Sequence, residues 1–148
     1  MIEQTAIIIK PDGVKKKLVG ECLKRFEKAN LKIKALKLLK LKKTFARKLY
    51  SNIKPKLNSK LFDAIINYIC SSDVVIGLLK GENAVARTRK IIGPTNPKET
   101  PKGTIRGDFA TDDLIAKKKQ NKATKNIIHA SGSKEEAKFE IELIKELI

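Results

Sequence analysis

The chain has 148 residues, 41% of them hydrophobic and 33% charged, a composition that suits one globular domain large enough to bury a core. No apolar run reaches the roughly 20 residues of a membrane span, and Met1-Ile2-Glu3-Gln4 lacks the basic start of a secretory signal, so a cytoplasmic protein with no membrane partner is expected. The formal net charge of +17 points to polyanionic partners without choosing between nucleotides and nucleic acid.

In chain order, Gln4 to Lys10 reads as a buried strand, because the β-branched run Ile7-Ile8-Ile9 stops at Pro11-Asp12-Gly13. From Val14 the period changes to four: Val14, Leu18, Cys22 and Phe26 share one face of a helix predicted to run to about Asn30. Leu31 to Ala35 alternates as a half-buried strand, and the phase slips near Leu38-Leu39 as a bulge would make it do. Helices follow over Phe45 to Ser51 and Leu61 to Cys70, then an apolar strand over Asp73 to Leu79 and a helix over Glu82 to Ile92 that Gly93-Pro94 stops. Gly93 to Lys125 is irregular and holds three of the five prolines. A short strand, Asn126 to Ser131, and a helix from Lys134 close the chain. Cys22 and Cys70 lack metal-ligand spacing and read as unpaired, buried thiols.

This order predicts an α/β (α+β) sandwich, a ferredoxin-like split βαβ arrangement with a four-stranded antiparallel sheet covered by helices. Such a fold hosts many functions, so function must be argued from particular residues.

Neither GxxxxGK[ST] nor GxGxxG is present, so a nucleotide would need another phosphate cradle. Of the 33 basic residues, 28 are lysines, yet Arg87, Arg89 and Arg106 fall close together with Thr95 among them. Arginine where the chain otherwise uses lysine suggests a rigid fork of donors for phosphate oxygens. His129 is the one histidine, with Asn126 and Ser131 near it in sequence and Glu140 on the following helix. A lone strand histidine is more often a core residue. A carboxylate accepting the proton of one ring nitrogen, however, leaves the other free as a nucleophile.

Several segments together resemble the nucleoside diphosphate kinases: Ile9-Lys10-Pro11-Asp12-Gly13, Leu18-Val19-Gly20-Glu21, Lys24-Arg25-Phe26-Glu27, Gly93-Pro94-Thr95-Asn96-Pro97, Gly103-Thr104-Ile105-Arg106-Gly107-Asp108-Phe109 and Asn126-Ile127-Ile128-His129-Ala130-Ser131. The resemblance covers nearly the whole chain as one domain, 1–148. It implies ping-pong transfer of a terminal phosphate from a nucleoside triphosphate to a diphosphate through phosphorylated His129, with Glu140 and Ser131 orienting the ring. It implies that Lys10, Arg89, Thr95 and Arg106 bind phosphates, that Tyr50 helps close the site, and that Asn126 with Lys10 holds the sugar hydroxyls. Mg2+ would arrive with the nucleotide rather than occupy a protein site. A homo-oligomer built on dimers, a hexamer or tetramer, is also implied.

The chain departs from the family pattern at several points. Leu61, followed by Phe62, aligns where members usually stack a phenylalanine on the base. The connections at about 51–60 and 110–125 are longer, the second bringing Lys117-Lys118-Lys119 toward the base end, and Lys102 replaces a common proline. A basic nucleic-acid-binding module on the same fold is the rival reading, with nucleic acid otherwise a secondary partner. Such modules stack bases on sheet aromatics, and the strands Gln4 to Lys10 and Asp73 to Leu79 contain none.

Overall fold

A computed structural model describes all 148 residues. Four strands, β1 (Ile2–Ile9), β2 (Lys32–Leu39), β3 (Val74–Glu82) and β4 (Ile128–Ala130), form one sheet in the order β2-β3-β1-β4. Every neighbouring pair is antiparallel, which meets the fold expectation. No helix is long and apolar enough to cross a membrane.

Both faces of the sheet are covered where β1 and β3 are buried, which is why Ala6 to Ile9 and Val74 to Leu79 carry no polar side chain rather than alternating. Successive side chains of β1 go to opposite faces. Ala6 and Ile8 join a cluster with α3 (Lys43–Leu49), α4 (Ser59–Ile69) and α8 (Lys134–Lys145). Ile7 and Ile9 join another with α2 (Val19–Lys28) and α5 (Ala84–Ile92).

The predicted helix from Val14 to Asn30 is two helices, α1 (Pro11–Lys15) and α2. Lys17 takes a left-handed φ of 60°, the Leu18 N–H donates to the Gly13 carbonyl, and the Lys17 N–H donates to that of Val14. These are the paired bonds of a Schellman ending. The four-residue period persists across the break because both helices face the same core.

The bulge in β2 lies between Ile33 and Ala35 rather than at Leu38-Leu39. There it turns Ile33 toward the α2 cluster and Ala35 toward the opposite one. β4 is shorter than predicted, because a turn at Ile127 occupies its start. The irregular stretch contains a 3-10 turn at Pro97–Glu99, α6 (Ile105–Phe109) and α7 (Leu114–Lys119). The 51–60 connection likewise carries a 3-10 turn at Lys54–Lys56.

Candidate active site

His129 stands opposite Ile8 in the sheet, so the two side chains share a face, the one that α3 and α8 cover. That register aims the imidazole at Glu140 on α8. His129 Nε2 lies 3.0 Å from each carboxylate oxygen of Glu140, and Ser131 Oγ donates to Glu140 Oε1 at 2.7 Å. Facing a buried carboxylate, Nε2 is the nitrogen that holds the proton of the neutral ring, and the lone pair of that tautomer lies on Nδ1. Tyr50, at the end of α3, packs edge-to-face on the imidazole with ring centroids 5.6 Å apart. Burial, then the charge of Glu140, pushes the Tyr50 hydroxyl above its ordinary range, so it stays neutral.

The chain reaches His129 through a strained turn. Ile127 is fully buried and β-branched, yet has φ of 74°, and the Ile128 N–H donates to the Asn126 carbonyl at 2.8 Å. This is a three-residue γ-turn of the rare hand, a geometry that costs about 1–3 kcal/mol and persists only where neighbours impose it. Here the Lys10 N–H donates to the Ile127 carbonyl at 2.8 Å, and Asp12 Oδ2 accepts the Ile127 N–H at 2.9 Å. Gly13 lets α1 approach, since a Cβ there would sit 2.8 Å from the Ile127 oxygen and 2.9 Å from Ile9 Cγ2. Asp12 is also tied to α4: its Oδ1 accepts from the Tyr68 hydroxyl, which itself accepts the Asp12 N–H at 2.9 Å.

A cavity of about 400 Å³ opens above this turn, lined by Lys10, Tyr50, Arg89, Thr95, Arg106, Asn126, His129 and Glu140. Nine of the ten residues named from sequence therefore meet here, Ser131 among them through its bond to Glu140. Asn126 joins two of them, accepting from Lys10 Nζ at 2.7 Å and donating to the Thr95 carbonyl at 2.9 Å. Burial, then the Arg106 charge, draws the Lys10 ammonium down to about 7, with Asp12 opposing. Burial, then the Arg89 charge, likewise draws Arg106 down to about 10. Three cationic groups crowded together in this way form a site prepared for a polyanion.

Arg106 and Arg89 differ in what they already hold. Arg106 is buried and donates to three backbone carbonyls: Nε to Asn126 at 3.0 Å, Nη1 to Gly93 at 3.0 Å, and Nη2 to Ile128. With five N–H groups on a guanidinium, two remain for a ligand. Arg89 has one long bond, 3.4 Å to the Ala130 carbonyl. The short α6 that carries Arg106 is fixed from α2, where Arg25 pairs with Asp108 at 2.8 Å. Asp108 in turn accepts the Gly103 N–H at 2.8 Å.

Leu61, expected to touch the base, does not line the cavity; it is buried at the start of α4. The longer 51–60 connection brings Leu57 into the wall instead, with Ile65 one turn beyond Leu61 and Leu114 from α7. Phe62 is in the core under Lys54, whose Nζ lies 5.7 Å from the ring centre. Sequence reading also passed over Asp12 and Tyr68. Pro11-Asp12-Gly13 reads as an ordinary turn, and nothing local tells that its carboxylate is buried against a segment 115 residues away.

The sequence model of the nucleoside diphosphate kinase family matches residues 3–146. A nucleoside diphosphate kinase of Sulfurisphaera tokodaii is 45% identical over 142 residues, 96% of this chain and 88% of the relative. One from Helianthus annuus is 46% identical over 142 residues, covering 96% and 87%. Among solved structures, a transition state mimic of the Borrelia burgdorferi nucleoside-diphosphate kinase with bound vanadate and ADP superposes with a TM-score of 0.91. It is 33% identical, and the match covers 96% of this chain and 86% of that one. An NDP kinase from Pyrobaculum aerophilum gives a TM-score of 0.86 at 31% identity, covering 97% and 95%.

Proposed function

Because the chain belongs to the nucleoside diphosphate kinase family, we propose that His129 carries the phosphoryl group between the two nucleotides. The activity is transfer of the terminal phosphate of a nucleoside triphosphate to a nucleoside diphosphate, and a nucleic-acid-binding role is not favoured. The observation that carries the histidine assignment is the Glu140 carboxylate 3.0 Å from Nε2. It holds the ring proton on the side away from the substrate.

In the first half-reaction the Nδ1 lone pair attacks the terminal phosphorus, and the bond from phosphorus to the bridging oxygen breaks. That electron pair leaves with the nucleoside diphosphate. Nε2 keeps its proton, and Glu140 balances the positive charge that the ring acquires. A second diphosphate then attacks the phosphohistidine and restores the free imidazole. Arg89, Arg106, Thr95 and Lys10 bind and neutralise the phosphates, so most of the catalysis is positioning and charge neutralisation. Tyr50 shields the ring, and Asn126 with Lys10 meets the sugar hydroxyls.

The two carboxylates in the cavity wall are both engaged: Glu140 by His129 and Ser131, Glu136 by the Gly132 N–H and Asn52. The other charged groups of the wall, Lys10, Lys56, Arg89, Arg106 and Lys118, are cationic, which fits Mg2+ held by nucleotide phosphates rather than by a protein cage. When bound it would supply positive charge that offsets the charge developing on the phosphates. On this reading the chain is one cytoplasmic domain acting as a homo-oligomer built on dimers. The open edge of β2, which carries Leu36 at 41% and Leu38 at 59% exposure, supports association.

The test is to incubate the protein with terminally labelled ATP and follow the label. Phosphohistidine survives alkali and is lost in acid, and His129→Ala is expected to abolish both the label and transfer. Transfer above a trace in the purified variant sinks the assignment.

A further inference from the structure

The walls of the cavity change character away from His129. Once Arg89, Thr95 and Arg106 take phosphates and Lys10 with Asn126 takes the sugar, the remaining wall offers a planar base an apolar set, Leu57, Ile65 and Leu114, with Asn52, Tyr68 and Thr124 as its neutral polar side chains. Two of these wall residues come with a lysine. Lys56 precedes Leu57, and Lys118 follows Leu114 by one turn of α7; both line the cavity. One turn carries Lys118 about 6 Å along the helix axis, away from the Asn96 side chain that accepts the Leu114 N–H at 3.0 Å. Lys118 therefore sits beyond the apolar wall rather than among the phosphate ligands. The two segments are joined beside the cavity, where Asn58 Nδ2 donates to Asn121 Oδ1 at 3.0 Å. That bond keeps both lysines near the slot.

Charge at this end is one-sided. Lys117 turns to Asp112 at 3.9 Å and Lys98 to Asp113 at 3.6 Å, whereas Lys118 and Lys56 have no ion-pair partner. The wall's carboxylates, Glu136 and Glu140, are both engaged at the histidine end. A base entering this slot meets ammonium donors and no free anionic acceptor. Guanine and uracil present a carbonyl at the edge where adenine and cytosine present an amine.

Resting on the reading of the cavity as the nucleotide site, we propose that Lys118, assisted by Lys56, reads the base edge and biases the enzyme toward bases that present a carbonyl there. Lys118 is a specificity-determining residue with no part in phosphoryl transfer. One exposed hydrogen bond gives a bias on the order of fivefold, the low end of base-edge discrimination.

The experiment isolates the phosphorylated full-length enzyme and measures its discharge onto GDP, ADP, UDP and CDP, comparing within each ring size. The expected result is that GDP exceeds ADP and UDP exceeds CDP by about fivefold. Lys118→Met should bring both ratios close to one. Lys119→Met removes the same charge from a lysine that does not line the cavity, and should leave both ratios in place. Equal discharge onto all four diphosphates by the native enzyme overturns the proposal. So does a bias that survives Lys118→Met, or a uniform slowing in both variants, which would mark simple charge attraction. Failure of the phosphoenzyme to form would overturn the histidine reading beneath it.

Discussion

Asp12 and Ile127 are 115 residues apart in sequence, yet the Asp12 carboxylate accepts the Ile127 backbone N–H at 2.9 Å and so holds the turn that presents His129. The same carboxylate takes the Tyr68 hydroxyl from α4. One buried acid thus links the start of α1, the wall of the cavity and the approach to His129.

Asp12→Ala leaves the Ile127 N–H and the Tyr68 hydroxyl without their acceptor, at a cost of about 1–3 kcal/mol for each buried group. For a chain of this length that corresponds to a fall in Tm of roughly 4 °C or more. With its clamp gone, the turn should relax toward an ordinary φ and carry Asn126 and His129 with it. Turnover is then expected to drop well beyond the loss of folded protein. Thermal melts beside kcat, measured where both proteins are fully folded, check this; an unchanged kcat would leave Asp12 with a purely structural part.

Glu140→Gln keeps the volume of the side chain and removes its charge. The amide cannot balance the charge on the phosphorylated ring, nor hold Nε2–H and Ser131 as firmly. A fall in kcat on the order of tenfold or more is expected, about 1.4 kcal/mol or more in barrier. Steady-state rates and single-turnover phosphorylation give the number. A variant as fast as the native enzyme contradicts an orienting role.

Arg106→Lys and Arg89→Lys should separate structure from chemistry. Lysine at 106 cannot reach the Asn126, Gly93 and Ile128 carbonyls together, so stability and rate should fall together, with at least a tenfold loss in rate. Arg89 holds one long backbone bond, so its replacement should lower the rate with little change in Tm. Equal thermal losses in the two variants would run against this division.

Lys10 must be charged to bind phosphate, and its burial beside Arg106 draws its pKa to about 7 in the free protein. The sign follows directly: as pH rises through 7 the free site loses its proton, and affinity falls. Bound phosphate favours the ammonium form, so binding at pH 8 takes up a proton. The dissociation constant for ADP should therefore rise above pH 7, approaching tenfold per unit. Calorimetry in buffers of different ionisation enthalpy reads both effects. A flat affinity from pH 6.5 to 9 with no proton uptake would reject the assignment.

Most of the element order was legible because it rests on local rules. The β-branched run at Ile7-Ile8-Ile9, the four-residue stripe from Val14 to Phe26, and the Gly93-Pro94 stop each state their own conformation. Errors arose where a local pattern is indifferent to a break. A Schellman ending at Lys17 leaves the apolar stripe in phase, and a bulge at Lys34 is invisible until β3 supplies the register. Leu61 failed for a related reason: alignment carried the base contact to a helix position, while the longer connection folded Leu57 into the wall.

By itself the sequence determined the chemistry on offer, since the lone His129, the clustered arginines and the motif around Asn126 name the groups a phosphoryl transfer needs, and short-range periodicity is enough to order the strands and helices. Only the tertiary structure decided how those groups are held. The positive φ at Ile127, the burial of Asp12, the three carbonyls on Arg106 and the lowered pKa of Lys10 all arise from contacts between segments distant in sequence. Conformational strain and desolvation are properties of an assembled environment, and no single stretch of chain contains one.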